Sequence, residues 1–280
     1  MHNARLTRRK VVNVIALSFS YIFAIFGVLV LLFIIGAVLY KGLSHFGLHL
    51  FINDDLGPRD ANSGLRAAIV GQIILAVGAS IISIPIGLLA GTFLREYCRS
   101  QKLLGLVRMC SDLLNSMPTI IIATFIYAVV VLPTHGFSGY AGILALSIIM
   151  IPIVLKVTDD MLSLVPDNLK EAAMALGASK YKMITQIVYR AARKGLMTGI
   201  LLAFCRVSGE SAPLLFTASN SQILTLNPVN PMPSLSIWMY NFATNPEHIY
   251  QTLGWNAAFL LTAFILIVNI ATRLLINRKK

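Results

Sequence analysis

The chain is poor in acid and in charge of either sign: Asp and Glu number 11 among 280 residues, and charged residues make up only 12%. Soluble domains carry about 25%, so an ordinary water-facing surface is excluded. Cysteine is also scarce. Cys98, Cys110 and Cys205 are odd in number and none falls in a segment read as external, which gives a disulfide framework no support and leaves them as packing residues. No GxxxxGK[ST] phosphate loop occurs, and the dipeptide Gly-Lys is absent, so any ATP hydrolysis must come from a partner. No nucleophile, base and orienting group cluster in the sequence, so the chain reads as a non-enzyme that binds no cofactor of its own.

What is abundant is hydrocarbon. Apolar residues are 57% of the chain and come in long runs, and about 20 such residues in a helix cross a bilayer. Six runs qualify or nearly do: 14–40, 67–94, 113–132, 140–157, 196–217 and 255–276. The fold class expected is therefore all-α and polytopic, a single transmembrane domain over 1–280. The basic leader MHNARLTRRK precedes an apolar run too long for a signal peptide, so the first span is expected to be retained.

Lys and Arg sort by side. Nineteen fall at the termini and in the second and fourth connections, against Lys41, Arg59 and Arg66 in the alternate ones, which predicts that both termini are cytoplasmic. This partition accounts for the net charge of +12 without nucleic acid. Small residues recur in the spans, among them Gly87 with Gly91, Gly71 with Gly78, and Gly195 with Gly199. Such spacing permits close helix contact but is also common by chance.

Two external segments show helical apolar spacing: Leu235, Trp238, Met239 and Phe242 behind a capping Ser234, and Leu43, Phe46, Leu50 and Phe51. Both are expected to lie along the outer surface with aromatics at headgroup level. His45 and His49 have i, i+4 spacing, but no third ligand is evident nearby and no metal is expected. His135 reads as a solvated turn residue, and Asp112 and Asn115 as helix caps.

The longest cytoplasmic segment, 163–194, reads as a helical hairpin. Pro166 and Asp167 suit a helix start, Gly177 a left-handed stop, and Ser179 the cap of a second helix running toward Arg190. Spans on both sides leave it poorly placed to enter a DNA groove. Leu169, Ala172, Ala173 and Leu176 form an apolar face suited to a protein groove instead.

Arg206 and Glu210 fall inside the fifth run, four residues apart, hence on one helical face. An arginine at such depth costs at least about 2.5–3.5 kcal/mol on insertion scales, so it is expected to face the bundle interior, water or a partner charge. Two readings stay open: a mutual ion pair that locks the helix, or an arginine on a translocation path that meets an anion through its forked donors while Glu210 holds it between passages.

The hairpin resembles the EAA loop of ABC importer permeases: Glu171, Ala172 and Ala173, then Gly177, then Ile187 stand at the family's spacing, while Tyr189 and Arg190 replace its Leu and Pro. RVSGESAPLLFTA is similar to the GETAPLL signature of PstA-type permeases of the phosphate-specific ABC importer, with Ser211 at the threonine position. Further matches are AAIVGQIILAVGASIISIPIGLLAGTFLREY, NSMPTIIIATF and PMPSLSIWMYNFA, so the resemblance covers most of the chain. It implies phosphate import by alternating access in the inner membrane. It also implies a PstC-type sister permease, two PstB-type ATPase subunits that hold ATP and Mg, and an external PstS-type phosphate-binding protein. The site residues expected are Arg206, Ser208, Glu210 and Ser211 on the substrate path, and Glu171, Ala172, Ala173 and Gly177 at the ATPase. A permease for molybdate or sulfate is the nearest alternative; an ATPase-independent channel or secondary transporter would leave the EAA hairpin unexplained.

Overall fold

The computed structural model describes the backbone of residues 2–57, 60, 62–219 and 221–278, and the side chains of these except 2–8 and 275–278. Of the basic residues used for orientation, Arg59, Lys279 and Lys280, and the side chains of Arg5, Arg8 and Arg278, lie outside that description. The described residues are helical, with no strands: α1 (His2–Gly42), α2 (His49–Ile52), α3 (Arg66–Thr92), α4 (Gln101–Ser116), α5 (Thr119–Ile126), α6 (Gly139–Ser163), α7 (Asp167–Ala175), α8 (Lys180–Lys182), α9 (Tyr189–Ser208), α10 (Ala212–Thr217), α11 (Leu235–Ala243) and α12 (His248–Arg278). π-helical turns extend α3 over Phe93–Tyr97, extend α5 over Tyr127–Val131, and join α8 to α9 over Met183–Val188.

Four described helices are long and apolar enough to cross a membrane, at Arg9–Gly42, Arg66–Tyr97, Gly139–Ser163 and His248–Leu274. They match the first, second, fourth and sixth runs of the sequence. The third run is corrected. Its residues belong to two helices, Gln101–Ser116 and Thr119–Val131, that meet at 97°. Pro118 forces this bend: it has no N–H to give the helix and drives Met117 into an extended conformation (φ −68°, ψ 139°). The fifth run is corrected as well, since α9 ends at Ser208 and the chain restarts as the six-residue α10.

The centre of the bundle is α3 against α6, the most extensive pairing in the fold. Glycines make it possible. A Cβ at Gly87 would lie 2.6 Å from Val154 Cβ, and one at Gly91 2.6 Å from Thr158 Cβ. Gly195 and Gly199 of α9 are closed in the same way by Met161 and Val157 of α6. Close backbone approach supplies the dispersion contacts that hold helices together where lipid removes the hydrophobic drive. Around this seam Leu75, Leu146, Met150, Val154, Leu214 and Ile237 are fully or almost fully buried.

The amphipathic α4 is held to α6 by charge. Arg108 Nε and Nη2 reach Asp159 Oδ2 and Oδ1 at 2.7 and 3.0 Å, and Lys156 Nζ reaches Asp112 Oδ1. Asp112 is thus an ion-pair partner in mid-helix and not a cap, while Asn115 sits in the last turn of α4. The Arg108 guanidinium is held above its usual pKa, first by its hydrogen bond to Asp159.

The external segment 235–243 is also corrected. Ser234 does cap α11, its hydroxyl accepting from the Ile237 amide, but Ile237 and Trp238 are fully buried and Trp238 Nε1 donates to the Ser221 carbonyl. The helix is part of the core against α12, because its apolar stripe finds protein where the sequence reading supplied only headgroups. The other segment keeps Phe46 and Phe51 partly exposed, with only Leu50 fully buried. His135 is exposed in its turn with φ 54°, and the three cysteines are free thiols.

Candidate functional site

The break after α9 is the feature that organises the site. Arg206 stands in the last turn of α9, where a cation complements the carbonyl end of the helix dipole. Gly209 caps the helix, its N–H donating to the Arg206 carbonyl at 3.1 Å, and the Glu210 N–H donates to the Val207 carbonyl at 3.2 Å. Ser211 then precedes α10, whose second residue is Pro213. Because the helix stops at Ser208, the i, i+4 register that would align Arg206 with Glu210 is lost. No carboxylate lies within ion-pair distance of Arg206 among the described residues. Of the two readings left open by the sequence, the mutual ion pair is not formed among the described residues, and Arg206 is exposed while Glu210 is half-buried.

A break in hydrocarbon leaves backbone groups that must find partners. Here they find Gln72 and Ser236. Gln72 Nε2 donates to the Ser208 carbonyl at 3.0 Å, the Ser236 hydroxyl donates to the Glu210 carbonyl at 3.1 Å, and the Ser236 amide donates to Gln72 Oε1 at 3.4 Å. Gln72 is 2% exposed and Ser208, Ser234 and Ser236 are fully buried. The Ser208 hydroxyl itself turns back to the Phe204 carbonyl at 2.8 Å, so its side chain faces protein. Ser211 is half-buried and its hydroxyl makes no hydrogen bond among the described residues. Gln72 and Ser236 were missed by the sequence reading. The signal was a glutamine six residues into an apolar run and a serine within an otherwise apolar stripe.

The hairpin holds the second group of residues. α7 ends as expected at Gly177, whose φ of +82° lies in the left-handed region, and the Ser179 hydroxyl accepts from the Lys182 amide to start the next helix. That second helix does not stop near Arg190. It runs unbroken from Lys180 through the π-helical turn into α9 and on to Ser208. The hairpin's second arm and the helix carrying Arg206 are therefore one rod. Glu171, Ala172 and Leu176 are exposed, Leu176 at 90%, but Ala173 is buried under the hairpin against Leu162 and Ile184. The exposed apolar face is therefore Leu169, Ala172, Met174 and Leu176, with Ala173 removed from it.

Two clefts lie away from the break. One of about 380 Å³ between α4 and α6 is lined by Arg95, Arg108 and Lys156 against Asp112, Asp159 and Asp160, a charge balance with no net attraction for an anion. The other, about 640 Å³, brings His248 beside His45 and His49. No described set of three or more His, Cys, Asp or Glu is disposed to hold a metal ion.

Residues 83–280 match the family described as binding-protein-dependent transport system inner membrane component. The chain is 41% identical to the phosphate transport system permease protein PstA of Pasteurella multocida, over 100% of this chain and 99% of that one. It is 42% identical to the protein of the same description from Haemophilus influenzae over 99% and 98%, and 31% identical to phosphate transport system permease protein PstA 1 of Mycobacterium tuberculosis over 96% and 90%. Among solved structures, an inward-facing MetNI methionine ABC transporter chain matches with a TM-score of 0.62 at 16% identity, covering 75% of this chain and 94% of that one. At that identity the likeness is one of fold.

Proposed function

The chain belongs to the binding-protein-dependent transport system inner membrane components and, within them, to the PstA-type phosphate permeases, and from that premise we propose that it is the membrane-spanning subunit of an ATP-driven phosphate importer. Its relatives are transport permeases, and this chain is read in the same way, as a subunit that moves substrate and leaves ATP hydrolysis to a partner. Six crossings with both termini cytoplasmic fit the distribution of Lys and Arg, with Thr119–Val131 and the interrupted α9–α10 serving as the two irregular ones. Broken helices of this kind are tolerated where the irregular backbone is buried in protein or lines a cavity.

The observation that carries this reading is Arg206 itself, exposed beside a helix break and without a described carboxylate partner. A guanidinium at span depth is too costly to leave in lipid, so its flank is the one a second permease of PstC type covers. The path then runs between the two subunits, with Arg206 attracting the anion by forked hydrogen bonds. Glu210 acts as a counter-charge that keeps binding weak enough for release, and Ser211 offers a free hydroxyl. Ser208 contributes through its carbonyl, which fixes the break.

The engine is external. Two PstB-type ATPase subunits, carrying ATP and Mg, receive the Leu169, Ala172 and Leu176 face with Glu171 beside it, and Gly177 sets the elbow's angle. Closing the ATPases draws the elbows together, and because the second arm is continuous with α9, the movement reaches the Arg206 break without an intervening joint. The path opens outward toward a docked PstS-type binding protein, and hydrolysis resets it. The test is phosphate uptake by Arg206→Gln at wild-type membrane abundance, with sulfate and molybdate as competitors. Loss of uptake with phosphate as the only effective competitor supports the assignment; unaltered uptake across substrate concentrations removes the arginine from the mechanism.

A further inference from the structure

We propose that the second span is a brace that forces the elbow and the Arg206 break to move together, with Glu96 and Lys170 as its positioning residues at the cytoplasmic end and Gln72 at the other. The proposal rests on the importer reading above and adds to it the element that transmits the stroke.

The cytoplasmic end of α3 is fastened to the hairpin at three points. Lys170 Nζ donates to Glu96 Oε1 at 2.7 Å, with the two side chains only 10% and 5% exposed. The Tyr189 and Thr92 hydroxyls lie 2.7 Å apart. Lys180 Nζ sits 4.4 Å above the centre of the Tyr97 ring. Thr92, Glu96 and Tyr97 fall in the last turn of α3 and its π-helical extension, so one short segment grips the first arm of the hairpin once and the second arm twice. Tyr189 is one of the two positions where this chain departs from the EAA pattern, and its hydroxyl is the atom that makes the contact.

At its far end the same helix holds the break through Gln72 and the Ser208 carbonyl. From residue 72 to residue 96 the helix spans about 36 Å at about 1.5 Å per residue. α9 and its extension run from the elbow to Ser208, touching α3 and packing chiefly on α6. Two rods joined at both ends form a closed frame. The glycine seam against α6 supports α3 along its length, so a displacement of the elbow arrives at the break by two routes that cannot slip past each other. Contiguous stiff elements with defined contacts at each end are one physical means by which coupling between distant sites is carried.

Buried ion pairs contribute little net stability, because desolvation offsets the attraction, and apolar pairs of similar volume often replace them without loss. A merely structural Glu96 and Lys170 would therefore tolerate the double substitution Glu96→Met with Lys170→Met. The experiment reconstitutes the whole importer with its ATPase subunits and binding protein in proteoliposomes and measures phosphate moved per ATP hydrolysed. The brace predicts that the double methionine variant assembles and hydrolyses ATP, yet moves about tenfold less phosphate per ATP, within the usual range of coupling between sites. The exchange Glu96→Lys with Lys170→Glu restores part of the ratio, and Gln72→Met lowers it from the opposite end. A wild-type ratio in the double methionine variant overturns the proposal. If that variant does not assemble, the charge exchange decides: assembly without any recovery of coupling, compared with Glu96→Lys alone, overturns it equally. A wild-type importer that moves no phosphate would instead refute the importer reading, so the two failures are distinct.

Discussion

Gly177 offers a perturbation whose energetic origin can be isolated. Its φ of +82° is one that L side chains rarely adopt, while a Cβ placed there would meet no atom within 4 Å. Within this chain substitution therefore costs backbone energy alone, with no clash among its own described atoms. The penalty for a residue with a Cβ in the left-handed region is about 1–2 kcal/mol, more for a β-branched one and less for asparagine, whose side chain can bond locally. If the elbow relaxes to avoid that cost, the population holding the docking angle falls roughly 5- to 30-fold. The expected order of coupling, measured as phosphate transported per ATP hydrolysed in proteoliposomes, is glycine, then Gly177→Asn, then Gly177→Ala, then Gly177→Val. Retained coupling in Gly177→Val at normal assembly would refute the role given to the turn.

Three further outcomes follow from packing and charge. Gly91→Leu places a side chain against Thr158 and the Leu155 carbonyl, and should lower the membrane abundance of the folded chain, whereas Gly105→Leu, with open space around it, should not; immunoblotting of membrane fractions distinguishes them. Arg108→Met strands Asp159, whose side chain is 8% exposed, and should cost about 1–3 kcal/mol, below a fully buried pair because the guanidinium is 43% exposed; Lys156→Met leaves an exposed Asp112 that water and salt already screen and should be close to neutral, a difference visible in thermal unfolding of the purified complex. Leu176→Asp, at a side chain 90% exposed, should leave abundance unchanged and abolish co-purification of the ATPase subunit.

How much of this was legible depends on whether a signal was local. Runs 14–40, 67–94, 140–157 and 255–276 became helices because an unbroken apolar run in a membrane has no better way to satisfy its backbone. Gly177 and Ser179 were equally plain, since a left-handed stop and a cap act within a few residues. Two of the failures share a cause: a local break outweighed a periodic pattern. Pro118 cut the third run, Gly209 ended the fifth helix between Arg206 and Glu210, and the i, i+4 argument, sound inside a helix, did not survive the stop. In the hairpin the error was the reverse, as no breaker separates Lys180 from Ser208 and the two segments read as separate were one helix. Gln72 was passed over because its value lies in a carbonyl 136 positions away in the sequence, which no spacing reveals. The burial of Trp238 and Ala173 likewise follows from which neighbour covers each face, not from the faces themselves.

The most direct measurement of the account is access to position 206. With Cys98, Cys110 and Cys205 replaced by serine or alanine, Arg206→Cys is introduced into the assembled importer and treated with a charged, membrane-impermeant thiol reagent in nucleotide-free, ATP-bound and post-hydrolysis states. A residue on an alternating aqueous path should react from the outside in the ATP-bound state and lose that reactivity when the nucleotide is removed. Inertness in every state would place position 206 in dry protein contacts and contradict the claim that its guanidinium meets the passing anion.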